Sequence, residues 1–147
     1  MRRCKGIPME IRPFRPGDED AVVRLWTECD LVVPWNDPHR DIERKLGVQP
    51  EMFLVGSEDG RIIATVMAGY DGHRGWINYL AVHPEHRSAG IGRRMMDEVE
   101  ALLRMAGCPK INLQVRSTNA KAVEFYRRIG FRVDDVASLG KRLEADE

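Results

Sequence analysis

The sequence predicts an α/β domain with a single mixed, mostly antiparallel sheet flanked by about four helices. Three observations carry this. Segments that alternate at period two take turns with segments whose apolar residues recur at three and four. Three strand-like segments follow one another between residues 52 and 82 with only short turns between them, as antiparallel neighbours do. The last of these passes through a glycine-containing turn into a long amphipathic helix.

Taken in order, MEIRPFR (9–15) alternates as a strand, and Pro13 places it at an edge because proline has no N–H for a second neighbour. In GDEDAVVRLWTECD (17–30), Val22, Leu25, Trp26 and Cys29 share one helical face behind acids that suit a helix start. NDPHRDIERKLG (36–47) supplies Asp37 as N-cap, Pro38 for the first turn and Gly47 as the stop. MFLVGSE (52–58) and RIIATVMAGY (61–70) are strands joined by Asp59-Gly60, a hairpin signal, and GWINYLAV (75–82) is a fourth strand. Ile91, Met95, Val99 and Leu102 form the apolar stripe of the central helix, which Gly107 and Pro109 end. KINLQVR (110–116) reads as a fifth strand, and residues 119–129 as a short helix turning Ala122, Phe125 and Ile129 inward. FRVDD (131–135) and ASLGKRL (137–143) read as two closing strands.

Composition narrows the function. Lys plus Arg and Asp plus Glu both number 23, so the 147-residue chain is neutral overall. A nucleic-acid or anionic-membrane partner would favour a basic excess, so neither is expected. Cys4, Cys29 and Cys108 are odd in number and far apart, which gives no disulfide framework, no metal motif and an expected cytoplasmic location. His83 and His86 read as a solvated turn, not as metal ligands. No apolar run approaches the roughly 18 residues of a membrane helix. The leader MRRCKGIP lacks an apolar stretch and reads as a flexible extension (1–8) ahead of one domain (9–147), with Met9 an alternative start.

HRSAGIGRRMM (86–96) sets two glycines and three arginines at the entrance of the central helix. Unpaired N–H groups and the positive helix end favour an anion there, and a missing Cβ permits close approach. A plain tight turn is the other reading of these residues alone. There is no Walker A run, and a dinucleotide fingerprint starting at Gly90 would need a small residue where Met95 stands.

R-x-x-G-x-G does fit, as Arg87-Ser88-Ala89-Gly90-Ile91-Gly92. Here it resembles the pyrophosphate-binding motif of the GNAT (GCN5-related N-acetyltransferase) family. YLAVHPEHRSAGIGRRMM (79–96) matches that family's strand–loop–helix unit, and NAKAVEFYRRIGF (119–131) its second block. The likeness runs from Met9 to Leu143. DLVVPWNDPHRDIERKL and AGYDGHRG further resemble a small bacterial branch, the YpeA-type acetyltransferases.

The resemblance implies a sheet splayed between strands four and five, with acetyl-CoA as cosubstrate in the gap and no metal. Leu80, Ala81 and Val82 would pair with the pantetheine arm. Arg87, Ser88, Ala89, Gly90, Ile91, Gly92 and Arg93 would wrap the pyrophosphate, and Asn119 would contact the cofactor or else cap its helix. Tyr126 falls where relatives carry the general acid for the departing thiolate, beside the cofactor; its other reading is a core aromatic. Gln114 stands where some relatives place a glutamate base, so either proton acceptance would pass through water to Asp71 or His73, or the amine would arrive already neutral. Glu85 reads as an exposed turn, and Asp37 is already explained as a cap. Trp35 and Asn36 would line the acceptor pocket.

The function expected is acetyl transfer to a primary amine of a small molecule or protein, by direct attack in a ternary complex. No cysteine has a nucleophile's local signature. Two rivals stand beside this reading: a CoA-binding sensor without efficient chemistry, and nucleic-acid binding through Arg87, Arg93 and Arg94. Family members often pair, which leaves the oligomeric state open between a monomer and a homodimer.

Overall fold

Asp59 and Gly60 both adopt the left-handed backbone (φ 56° and 74°) that a two-residue hairpin requires, and they join Glu58 to its partner Arg61. The sheet grows outward from this hairpin. In the computed structural model, which describes residues 9–146, its strands are β1 (Glu10–Pro13), β2 (Phe53–Glu58), β3 (Arg61–Tyr70), β4 (Gly75–Val82) and β5 (Ile111–Leu113). They lie in the order β1-β2-β3-β4-β5, antiparallel except for the parallel β4–β5 pair. Pro13 is on an edge strand, as its chemistry demands. Cys4 and the leader lie outside the described residues.

Four α-helices cover the two faces: α1 (Glu19–Glu28), α2 (Pro38–Leu46), α3 (Ile91–Met105) and α4 (Ala120–Arg128). The Asp37 carboxylate caps α2 by accepting from the His39 N–H at 2.9 Å, and Gly47 closes it. On one face Val22, Leu25 and Trp26 of α1 and Ile42 of α2 bury against Phe53, Val55, Met67 and Ala81. On the other, Met95, Met96, Val99 and Leu103 of α3 bury against Leu54, Ile63, Val66 and Ala68. Covered on both faces, β2 is an almost unbroken buried run rather than an alternating one. Each fully buried large side chain of these clusters contributes about 1.5–3 kcal/mol.

The two closing strands expected at 131–135 and 137–143 do not form; this stretch is irregular. Apart from Phe131, which packs on the core, its large apolar residues point to solvent, with Val133 72%, Val136 79%, Leu139 92% and Leu143 90% exposed. Side chains, not a backbone ladder, hold the stretch beside β5. Asp134 accepts from Lys110 and Asn112 at 3.0 and 2.9 Å, and Ser138 accepts from the Gln114 amide. Gln114 itself lies one residue past the end of β5, exposed, instead of within the strand. The chain then returns to α2, where Asp146 accepts from the Asp37 N–H at 2.9 Å and from Arg44 at 2.6 Å. Arg44, together with that N–H, holds the Asp146 carboxyl down at about 2.

Candidate active site

The parallel pairing of β4 with β5 stops early. Gly75, Trp76 and Ile77 match Ile111, Asn112 and Leu113, and β4 then runs on to Val82 with no strand neighbour on that side among the described residues. The splay opens at a β-bulge. Thr65 faces Ala81 and Met67 faces Asn78, so Tyr79 and Leu80 together oppose Val66. Tyr79 takes φ 51°, a left-handed conformation that costs an aromatic residue about 1–3 kcal/mol. It is held there from several sides. The Trp26 indole donates to the Thr65 hydroxyl at 2.9 Å, which donates to the Tyr79 carbonyl at 2.9 Å. The Tyr79 ring stacks on Trp26 at 3.8 Å, and its hydroxyl donates to Asp41 at 2.6 Å.

Past the bulge, Leu80 and Val82 face α3 and α4, while Tyr79 and Ala81 face α1 and α2. His83 donates its N–H to Ile63 of β3 at 2.8 Å. The same planar peptide therefore aims the Val82 carbonyl away from β3, into the splay. There it accepts from Arg87 Nε at 3.1 Å and from the Cys29 thiol at 3.4 Å. Burial pushes the Cys29 thiol up, which keeps it protonated.

His83 is buried, unlike the solvated residue expected, and its Nδ1 accepts from the Glu85 N–H at 3.1 Å while Nε2 lies 3.3 Å from Glu28. This fixes the turn that leads to the glycine loop. In the loop, Ser88 (φ 73°) and Gly90 (φ 77°) are left-handed, and Gly90 starts α3 without a side-chain cap. The first-turn N–H groups of Ile91, Gly92 and Arg93 have no intrahelical acceptor. No acid lies in that turn, and Arg87 and Arg93 are exposed beside it. Such a cradle fits a pyrophosphate.

Gly92 is open for a different reason. A Cβ there would stand 3.2 Å from Cζ of Phe125, so the missing side chain lets α4 dock on the first turn of α3. Tyr126 follows, packed edge-on between Phe125 and Phe131, with no hydrogen-bond partner for its hydroxyl among the described residues. Burial pushes the phenol up to about 12. Asn119 caps α4, accepting from the Ala122 N–H at 3.1 Å.

A β-strand open on one side beyond Ile77, running straight into an anion cradle, has the shape to take an extended ligand that carries a phosphate group. The sequence model of the acetyltransferase (GNAT) family matches residues 20–131. The chain belongs to that family. It is 49% identical to an acetyltransferase of Pectobacterium atrosepticum over 94% of this chain and 98% of that one. It is 46% identical to an acetyltransferase of Yersinia pestis over 95% and 99%. Among solved structures it resembles Ard1 from Thermoplasma volcanium, with a TM-score of 0.76, 26% identity, and coverage of 87% and 85%. The protein is thus an acetyltransferase with the GNAT fold.

Trp35, 49% exposed, lies under the Arg116 guanidinium at 5.5 Å and joins the α1–α2 loop to the β5–α4 loop. Asn36 accepts from Arg142 at 2.8 Å. Asp71 and His73 are placed elsewhere. Asp71 closes the β3–β4 turn, accepting from the His73 and Arg74 N–H groups at 2.8 Å each and from the Trp76 indole at 3.3 Å. Those backbone bonds lower its carboxyl. That turn adjoins Gly75, the paired end of β4, and Leu80 is five residues further on, about 17 Å of strand. Glu85 is exposed and contributes only its N–H. Sequence reasoning missed Tyr79 and Asp41, 38 positions apart, because no linear pattern links a bulged strand residue to a helix residue.

Proposed function

We propose that this acetyltransferase moves an acetyl group from acetyl-CoA to a primary amine by direct attack within a ternary complex. The observation that carries the reading is the unpaired stretch of β4 opening directly onto the cradle at the start of α3. Leu80, Ala81 and Val82 would present backbone groups to the pantetheine amides. Arg87 to Arg93 would hold the pyrophosphate, with Asn119 near the cofactor as well as capping α4. The thioester supplies an activated acyl group. Tyr126 would give its proton to the departing thiolate; a high phenol pKa keeps that proton in place at neutral pH.

Trp35 and Asn36 would line the acceptor's entry. With an amide at Gln114 instead of a carboxylate, the preferred acceptor is an α-amine, whose pKa of about 7.7–8.0 leaves part of it neutral, rather than a lysine at about 10.4. A CoA-binding sensor is the second reading, favoured by the engagement of Gln114 with Ser138. Two measurements test the proposal. Gly90→Val forces a branched side chain into a left-handed backbone and should weaken acetyl-CoA binding in calorimetry at least tenfold. CoA release over a panel of amines and peptide N-termini separates the enzyme from the sensor: binding without release with any of them supports the sensor.

A further inference from the structure

The unassigned step is the removal of the acceptor's proton, and this inference rests on the transferase reading above. We propose that Tyr79 and Asp41 form the proton-accepting relay of this enzyme. Tyr79 sits at the bulge where β4 parts from β5, on the face of the sheet that turns toward α1 and α2. Its hydroxyl, on a partly exposed side chain, already donates at 2.6 Å to Asp41 Oδ2. The other oxygen of Asp41 accepts from Arg44 at 3.1 Å, so the carboxylate is held in one orientation. Stacking on Trp26 and the bond from Thr65 to its carbonyl fix the ring in a strained backbone geometry. Core packing alone would not need a left-handed aromatic whose hydroxyl ends on a carboxylate.

The step balances. The ammonium gives one proton to the phenol oxygen as the phenol passes its own to Asp41. The neutral nitrogen then forms the N–C bond while the thioester C–S bond breaks; the thiolate leaves with the Tyr126 proton, and the second nitrogen proton, shed as the amide forms, passes to solvent, which restores the Tyr126 phenol. Asp41 later returns its proton to water. The charged groups facing the phenol are Asp41 and Asp37 of α2 and its cap, Arg44 of α2 and Asp146 of the C-terminal segment. Burial, and then the carboxylates of Asp41, Asp146 and Asp37, keep the phenol protonated between turnovers, and Asp41 beside the hydroxyl favours a cationic amine on arrival.

The experiment compares wild type, Tyr79→Phe and Asp41→Asn, both nearly isosteric, with alaninamide and hydroxylamine as acceptors. Hydroxylamine reaches the site already neutral at neutral pH; alaninamide is largely protonated at pH 6.5. Acetyl-CoA affinity by calorimetry should stay within twofold. At pH 6.5 the loss of kcat/KM should be about 10²-fold greater for alaninamide than for hydroxylamine. The gap should narrow as pH rises past the α-amine pKa of about 8. Equal losses for both acceptors at every pH would make the pair structural, and no loss would remove it from the proton path. A wild type that binds acetyl-CoA yet releases no CoA with either acceptor would overturn the transferase reading and the relay with it.

Discussion

Gly92 lies in the motif that resembles a pyrophosphate loop, yet its Cα faces the ring of Phe125, so Gly92→Ala separates two explanations of the same residue. The new Cβ would stand 3.2 Å from Cζ and 3.3 Å from Cε1 of Phe125, and 3.8 Å from Val82. The first two are a few tenths of an ångström too close, so the ring must yield. Overpacking of this kind costs about 1–3 kcal/mol, and replacing glycine by alanine in a helix returns about 0.5–1, leaving a net destabilisation of about 0–2.5 kcal/mol. Urea unfolding at constant m should show it. In a Phe125→Leu background the ring edge is gone, so Gly92→Ala should become neutral or stabilising, with a coupling energy of about 1–3 kcal/mol. Because α4 also carries Tyr126, kcat should fall more than acetyl-CoA affinity. Additive stabilities, or an affinity that collapses while stability and kcat hold, would refute the packing argument and return Gly92 to the anion.

Tyr126→Phe keeps the ring between Phe125 and Phe131, so acetyl-CoA affinity should survive while kcat drops by about 10²–10⁴-fold in steady-state assays. Asp18 is held by Arg12 at 2.8 and 3.0 Å and accepts the Arg15 N–H, and the guanidinium lowers its carboxyl. Because the folded pKa lies below the unfolded value of about 3.9, this stabilisation is complete above that value and is lost as pH falls through the folded one. Asp18→Asn should therefore cost about 1–3 kcal/mol at pH 7 and progressively less below pH 4 in thermal or urea melts. Asp71→Asn should loosen the β3–β4 turn, visible as faster amide exchange at His73 and Arg74, and leave the pH–rate profile as in wild type. A shifted acidic limb would restore Asp71 to the chemistry.

What the sequence disclosed was local. Asp37, Pro38 and Gly47 bound α2 because caps are set by a residue's own backbone and nearest neighbours. Asp59-Gly60 fixed the register of β2 and β3 for the same reason. The glycines of 90–92 were read correctly as marking the entrance to α3, and the structure adds that Gly90 is left-handed there. The errors came where geometry depends on distant chain. A strand pattern at 131–143 is not sufficient when β5 is only three residues long and gives little edge to pair with. Gln114 fell outside the strand for that reason. Asp71 looked well placed because its loop adjoins β4, but the loop joins the end opposite the splay. The Tyr79–Asp41 contact depends on a bulge, and nothing in the string YLAV announces one.

The gap beside β4 carries a hazard as well as a use. An unpaired strand accepts any extended backbone, including a strand of a neighbouring molecule, and long open edges are where sheets aggregate. This one is short, recessed between helices, and its last carbonyl at Val82 is already engaged by Arg87 and Cys29. A flexible guanidinium can swing off to meet a phosphate, whereas an invading strand offers it no anion. Arg87 can thus act as a doorkeeper that discriminates by charge, so its removal should show in shelf life at high protein concentration as well as in catalysis.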